Sequence, residues 1–140
     1  MTSRLTAALL ACTAFAFAAP ASAEMVNLKA DMNAASEVPA NNSKGTGTVT
    51  ATYDTASKKL SWKGSYKDLT GPATAAHFHG PAEAGKNAGV AVPISPATSP
   101  FEGSATLNDE QASALMAGNL YVNIHTAENK GGEIRGQLKK

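Results

Sequence analysis

The sequence predicts an all-β domain, a sandwich or barrel with one short connector helix, on three observations. From Glu24 onward it runs in short segments in which apolar and polar residues alternate, the period of a strand with one covered face. Gly, Pro, Asn and Asp interrupt these segments at short intervals, as turns require. One stretch only, "NDEQASALMAG", carries helical signals.

The first strand is expected over 26–33, where Val, Leu, Ala and Met alternate with polar residues. Strands over 47–54 and 59–66 follow, joined by the polar turn Asp54 to Lys58; Leu60 and Trp62 then share one face and Ser61 and Lys63 the other. The next strand, 73–79, ends at Gly80-Pro81. Strands at 89–94 and 103–107 follow, and "PAEAGKNAG" and "PISPATSP" are Pro/Gly-rich loops long enough to fold over a surface site. In the helix, Asn108 or Asp109 caps the first turn, Leu115 and Met116 face the core, and Gly118 ends it across the end of the sandwich. Strands 119–126 and 133–138 form a hairpin over "ENKGG", with Gly131 and Gly132 in the turn and Gly136 allowing close packing. Glu133, Arg135 and Gln137 alternate onto one side of the last strand, a solvated side on which Glu133 and Arg135 pair with neighbours; Ile134 and Leu138 take the other.

The chain opens with Arg4, an apolar stretch over 5–19, Pro20 and the small-residue tripeptide "ASA". That pattern predicts a secretory signal peptide over 1–23, because the apolar run is too short to span a bilayer and ends in a cleavage motif. Cys12, the only cysteine, lies in "LLAC", which faintly resembles a lipoprotein processing site, but the apolar run before it is short and "ASA" competes. Cleavage after Ala23 leaves no cysteine, so disulfides, thiolate metal sites and cysteine nucleophiles drop out together. The remaining residues, 24–140, are enough for one domain that buries about two-thirds of its unfolded surface. Without Arg4 the chain holds eleven basic and eleven acidic residues, with no runs of either. A nucleic-acid footprint and a polybasic anchor are therefore not expected, and no later stretch is apolar enough to span a membrane. The expected compartment is periplasmic or secreted.

The chemistry is concentrated in three histidines. In "AAHFHGPA", His77 and His79 project from the same strand face while Phe78 points into the other layer, so the two imidazoles form a chelating pair near a rim. In "YVNIHT", Tyr121, Asn123 and His125 share the polar face opposite Val122 and Ile124. Across the hairpin His125 comes close to facing Glu133, a candidate to orient a ligating histidine. Each histidine alone is more commonly structural, but all three stand at strand ends beside glycine turns, which together points to metal ligation.

The runs "AAHFHGPAEAGKNAGVAV" and "LMAGNLYVNIHTAENKGGEIRGQL", with the earlier "NAASEVP", resemble the CHRD domain, first described in chordin and common in secreted bacterial proteins. The resemblance covers nearly all of 24–140. It implies an immunoglobulin-like antiparallel β-barrel, similar in design to Cu/Zn superoxide dismutase, whose copper is also held partly by an H-x-H strand. A bimetallic dismutase site is not implied, since that enzyme uses more histidines and an aspartate where this chain has only His77, His79 and His125.

The expected function is binding of one transition metal by His77, His79 and His125, for storage, delivery or sensing. Copper comes first, since imidazole-rich sites hold Cu(II) most tightly and the resemblance points to a copper scaffold; zinc is the alternative. Met25, next to the new N-terminus, is a candidate thioether at the fourth position, whereas Met32 and Met116 read as core. Two rivals stand beside this: an interaction module of a secreted assembly with structural histidines, and a metal-dependent oxidoreductase, which lacks any further acid–base pair or nucleophilic triad. Beyond the metal ion, a protein partner or a homodimer bridged through rim histidines is compatible with the sequence.

Overall fold

The computed structural model describes residues 22–140. Of the signal peptide expected over 1–23, residues 1–21, Cys12 among them, lie outside the described residues.

Eight antiparallel strands form one sheet: β1 (Met25–Asn33), β2 (Thr46–Asp54), β3 (Lys59–Lys67), β4 (Ala73–His79), β5 (Val90–Ile94), β6 (Phe101–Thr106), β7 (Tyr121–Thr126) and β8 (Ile134–Gln137). Their order is β5-β4-β7-β8-β1-β2-β3-β6. The two edge strands, β5 and β6, approach each other, so the sheet curls into a nearly closed barrel. All eight predicted strands are present, with ends shifted by one or two residues. The two-residue shifts are at the starts of β6, where Phe101 already pairs with Gly64, and of β7, which begins at Tyr121. The helix α1 (Asp109–Met116) starts at Asn108, whose side chain accepts from the Gln111 N–H while the Gln111 side chain accepts from the Asn108 N–H. Gln111 also donates to the Ala91 carbonyl, which ties α1 to β5 across the seam that the barrel leaves open. Met116, expected in the core, is instead on the exposed side of α1. No helix among the described residues is long and apolar enough to cross a membrane.

The barrel interior follows from the alternation. Val26, Leu28, Ala30 and Met32 of β1 point inward, as do Leu60 and Trp62 of β3, and Phe78 of β4 meets the edge of Trp62 with ring centroids 5.0 Å apart. Each of the larger aliphatic side chains and Phe78 contributes about 1.5–3 kcal/mol on burial. The expectation fails on the outside of β7 and β8. Polar residues there were expected in solvent, yet Tyr121, Asn123 and Arg135 are as buried as the core. The reason is the loop at 80–89, which folds back over that outer face and makes β7 a strand covered on both sides.

Candidate metal centre

The outer face of β4, β7 and β8 is a short grid. His77 stands in register with Asn123, His79 with Tyr121, and Asn123 in turn with Arg135. His125 lies two residues beyond Asn123 on the same face, so the sheet brings all three histidines together. One potential ligand atom from each lies within 4.8 Å of the others. The imidazole rings have centroids 5.0 Å (His77–His125), 5.3 Å (His77–His79) and 6.1 Å (His79–His125) apart.

Two of the rings are fixed by backbone carbonyls. His79 Nδ1 lies 3.0 Å from the Ala88 oxygen and His125 Nδ1 lies 2.8 Å from the Lys130 oxygen. A carbonyl only accepts, so each Nδ1 carries the proton and each Nε2 presents a lone pair, which in His125 accepts a hydrogen bond from His77 Nδ1 and in His79 has no partner among the described residues. The Nε2 of His125 is 3.1 Å from Nδ1 of His77. Two nitrogens bound to one ion at about 2.0–2.1 Å and a tetrahedral angle stand about 3.3 Å apart, so this spacing suits a shared cation. The His79 Nε2 is buried and has no hydrogen-bond partner among the described residues.

Burial lowers the pKa of His77, and the neighbouring His125 and His79 lower it further. Burial also lowers that of His79; the hydrogen bond to Ala88 works against it and His125 adds to it. Buried imidazoles held neutral are suited to ligation, because the lone pair that binds a metal is the one a proton would take.

A stack supports His79 from the side. Its ring lies parallel to Tyr121, centroids 4.9 Å apart, and the Arg135 guanidinium carbon sits 3.4 Å from the Tyr121 ring centre. Arg135 donates to the carbonyls of Glu83 and Lys86 and to Asn87 Oδ1, all in the covering loop. The Tyr121 hydroxyl exchanges hydrogen bonds with Ala88, the residue whose carbonyl also fixes His79. Arg135 therefore holds down the loop that holds the histidine.

Glu133 is a correction. The register of β7 and β8 would place it opposite His125, but Gly132, at φ +129°, turns the chain before the strand begins. A side chain at Gly132 would collide with Glu37 and Asn123, so glycine is required there for space as well as for backbone angle. After that turn the Glu133 carboxylate points into the end of the barrel, where it accepts from Ser43, Thr126, and both the hydroxyl and the backbone N–H of Thr70. It orients no histidine. Gly136 does allow close packing, since a Cβ there would strike the Asp31 carbonyl.

Met25 is also removed as a ligand. Asn33 of β1 is in register with Arg135, and Met25 stands eight residues back along the strand, about 27 Å at the usual strand rise. Glu37, from "NAASEVP", enters the site unexpectedly: it is buried next to Asn123, and burial pushes its carboxyl up to about 7 against the pull of Arg135 and Asn123. A cleft of about 570 Å³ between β2, β3 and β6 lies elsewhere on the barrel, lined by hydroxyls such as Thr50, Thr52 and Ser61 and by no imidazole.

Residues 28–138 match the family model of the CHRD domain. No curated protein and no solved structure matches the chain.

Proposed function

The chain belongs to the CHRD domain family, and on that premise we propose that it is a periplasmic or secreted protein that binds one transition-metal ion, copper before zinc, through His77, His79 and His125. The observation that carries this is the convergence of three imidazoles, two of them with Nδ1 tied to a carbonyl so that Nε2 presents a lone pair toward the others. Three neutral nitrogen donors without a thiolate suit Cu(II) or Zn(II), and the role is storage, delivery or sensing. A bound ion would supply charge and an open coordination position; the chain itself supplies the ligands, their tautomers and a loop that restricts water.

The mature protein is expected to bind one equivalent of Cu(II), and the variant with His77, His79 and His125 all replaced by Ala to lose that binding while keeping its β-sheet circular dichroism. The histidines lie outside the barrel core, which is why the fold should survive. Metal titration by calorimetry of both proteins tests this, and equal affinity in the two would leave the interaction-module reading in its place.

The affinity should also fall with pH. An imidazole coordinates only when neutral, and His77 and His79 sit below the ordinary value of about 6.5, so proton competition sets in as pH drops through their lowered pKa values. The same depression means the folded apo-protein binds fewer protons than the unfolded chain, so these residues favour folding above about pH 6.5 and lose that effect as pH falls. Chelator competition between about pH 5 and 8 should show a slope of more than one proton per metal. A flat profile would take the histidines out of the coordination shell.

A further inference from the structure

The buried polar atoms without partners are not scattered. Among the described residues they are Glu37 Oε1, Trp62 Nε1, His79 Nε2 and Asn123 Oδ1, and the Glu37 and His79 atoms belong to neighbours of Asn123. The Asn123 amide has a defined orientation. Its Nδ2 faces acceptors, the Gly131 carbonyl at 3.4 Å and the Glu37 carboxyl beside it, so its Oδ1 must look the other way. On that other side stand the imidazoles: His77 directly across the β4–β7 ladder, His125 two residues along, and the His79 ring within reach of the amide.

Two acceptors then face the same space. His79 Nε2 is a lone pair because Nδ1 carries the proton, and Asn123 Oδ1 is a lone pair because Nδ2 is committed elsewhere. Asn123 is 2 % exposed and His79 8 %, so bulk water serves neither. Lone pairs converging without a donor between them are costly when buried; a hydrogen bond to Asn123 favours a proton on the His79 ring, burial opposes that charge, and a metal cation between the two relieves both.

We propose that the Asn123 side-chain oxygen is the fourth donor of the metal centre, making a three-nitrogen, one-oxygen set that favours a divalent ion over Cu(I). This rests on the metal-binding reading of the three histidines. An amide oxygen is a hard donor that suits Cu(II) or Zn(II), whereas Cu(I) prefers soft sulfur ligands. Glu37 and Gly131 act as positioning groups, since they hold the amide so that its oxygen rather than its nitrogen faces the ion.

The test compares the wild-type protein, the triple histidine-to-alanine variant, Asn123→Leu and Asn123→Asp, each titrated with Cu(II) and with Cu(I), with electron paramagnetic resonance of the Cu(II) forms. Asn123→Leu should weaken Cu(II) by about tenfold or more and change the copper hyperfine pattern, while Cu(I) affinity stays within about threefold. Asn123→Asp keeps the oxygen, adds charge, and should tighten Cu(II); it decides the matter if the leucine variant does not fold. If Cu(II) affinity and spectrum are unchanged in both variants while the triple variant loses the metal, the fourth-donor assignment is overturned and the histidine site stands. If the wild-type protein binds neither ion, both fall together.

Discussion

Replacing Glu133 by Leu should cost about 3–5 kcal/mol, a large part of the 5–15 kcal/mol that holds a domain of this size together. The carboxylate is fully buried and has four donors, with Ser43 Oγ at 2.5 Å, Thr126 Oγ1 at 2.5 Å, and Thr70 N and Oγ1 each at 2.7 Å. Removing it strips the common acceptor from three separate segments: the loop carrying Ser43, the β3–β4 connection carrying Thr70, and the end of β7. Burial alone would raise this carboxyl's pKa, but the hydrogen bonds outweigh it and hold it at about 2, below the ordinary 4.5. A depressed carboxyl contributes stability that is present above about pH 4.5 and is lost as pH falls toward 2. Urea denaturation at several pH values should therefore show a steeper acid decline in wild type than in Glu133→Gln, because the amide does not titrate in that window and only other lowered carboxyls such as Asp54 and Asp109 still do. The glutamine variant should also keep its copper affinity, as the side chain faces away from the imidazoles. A folded Glu133→Gln protein that binds copper much more weakly would return Glu133 to the metal site.

How much of this was legible in the sequence depends on which face of a strand is considered. Inward-facing positions such as Val26, Leu28, Leu60, Trp62 and Phe78 follow from alternation, because period 2 and apolar side chains leave one solution for a covered face. The histidine pair in "HFH" was legible for the same reason, and so was the shared face of Tyr121, Asn123 and His125. The outer surface of β7 and β8 was not. Alternation marks polar positions as solvent-facing unless something covers them, and what covers Asn123 and Arg135 is a loop at 80–89 whose path depends on the Arg135 hydrogen bonds themselves. Glu133 was misplaced by a smaller cause, since one glycine at φ +129° resets the alternation just before the strand. A buried asparagine between two aromatic positions of a chelating face was the sign that this surface is an interior of its own.

Arg135→Met should be the second large perturbation, about 3–5 kcal/mol in stability, with a loss of metal affinity although no ligand is touched. The guanidinium is 1 % exposed and spends its donors on Lys86 O at 2.7 Å, Asn87 Oδ1 at 3.1 Å, Gln137 Oε1 at 3.2 Å and Glu83 O at 3.3 Å, while its plane rests on Tyr121. Methionine fills the volume but makes none of these bonds, so the loop at 80–89 loses its anchor to β8. Ala88 belongs to that loop, and its carbonyl sets the tautomer of His79 and receives the Tyr121 hydroxyl. Once it moves, Nε2 of His79 is no longer held as a lone pair for the proposed metal, and a tenfold or greater fall in Cu(II) affinity is expected, the scale on which groups that orient ligands act. Arg135→Lys should recover little, because a single ammonium cannot span acceptors on three loop residues and lie flat on an aromatic ring. Limited proteolysis within 80–89, urea midpoints and copper titrations on the same preparations separate the links. Faster cleavage with weaker copper binding supports the chain from Arg135 through the loop to His79, whereas unchanged copper affinity in a variant with a loosened loop would show that the imidazoles are held by the strands alone.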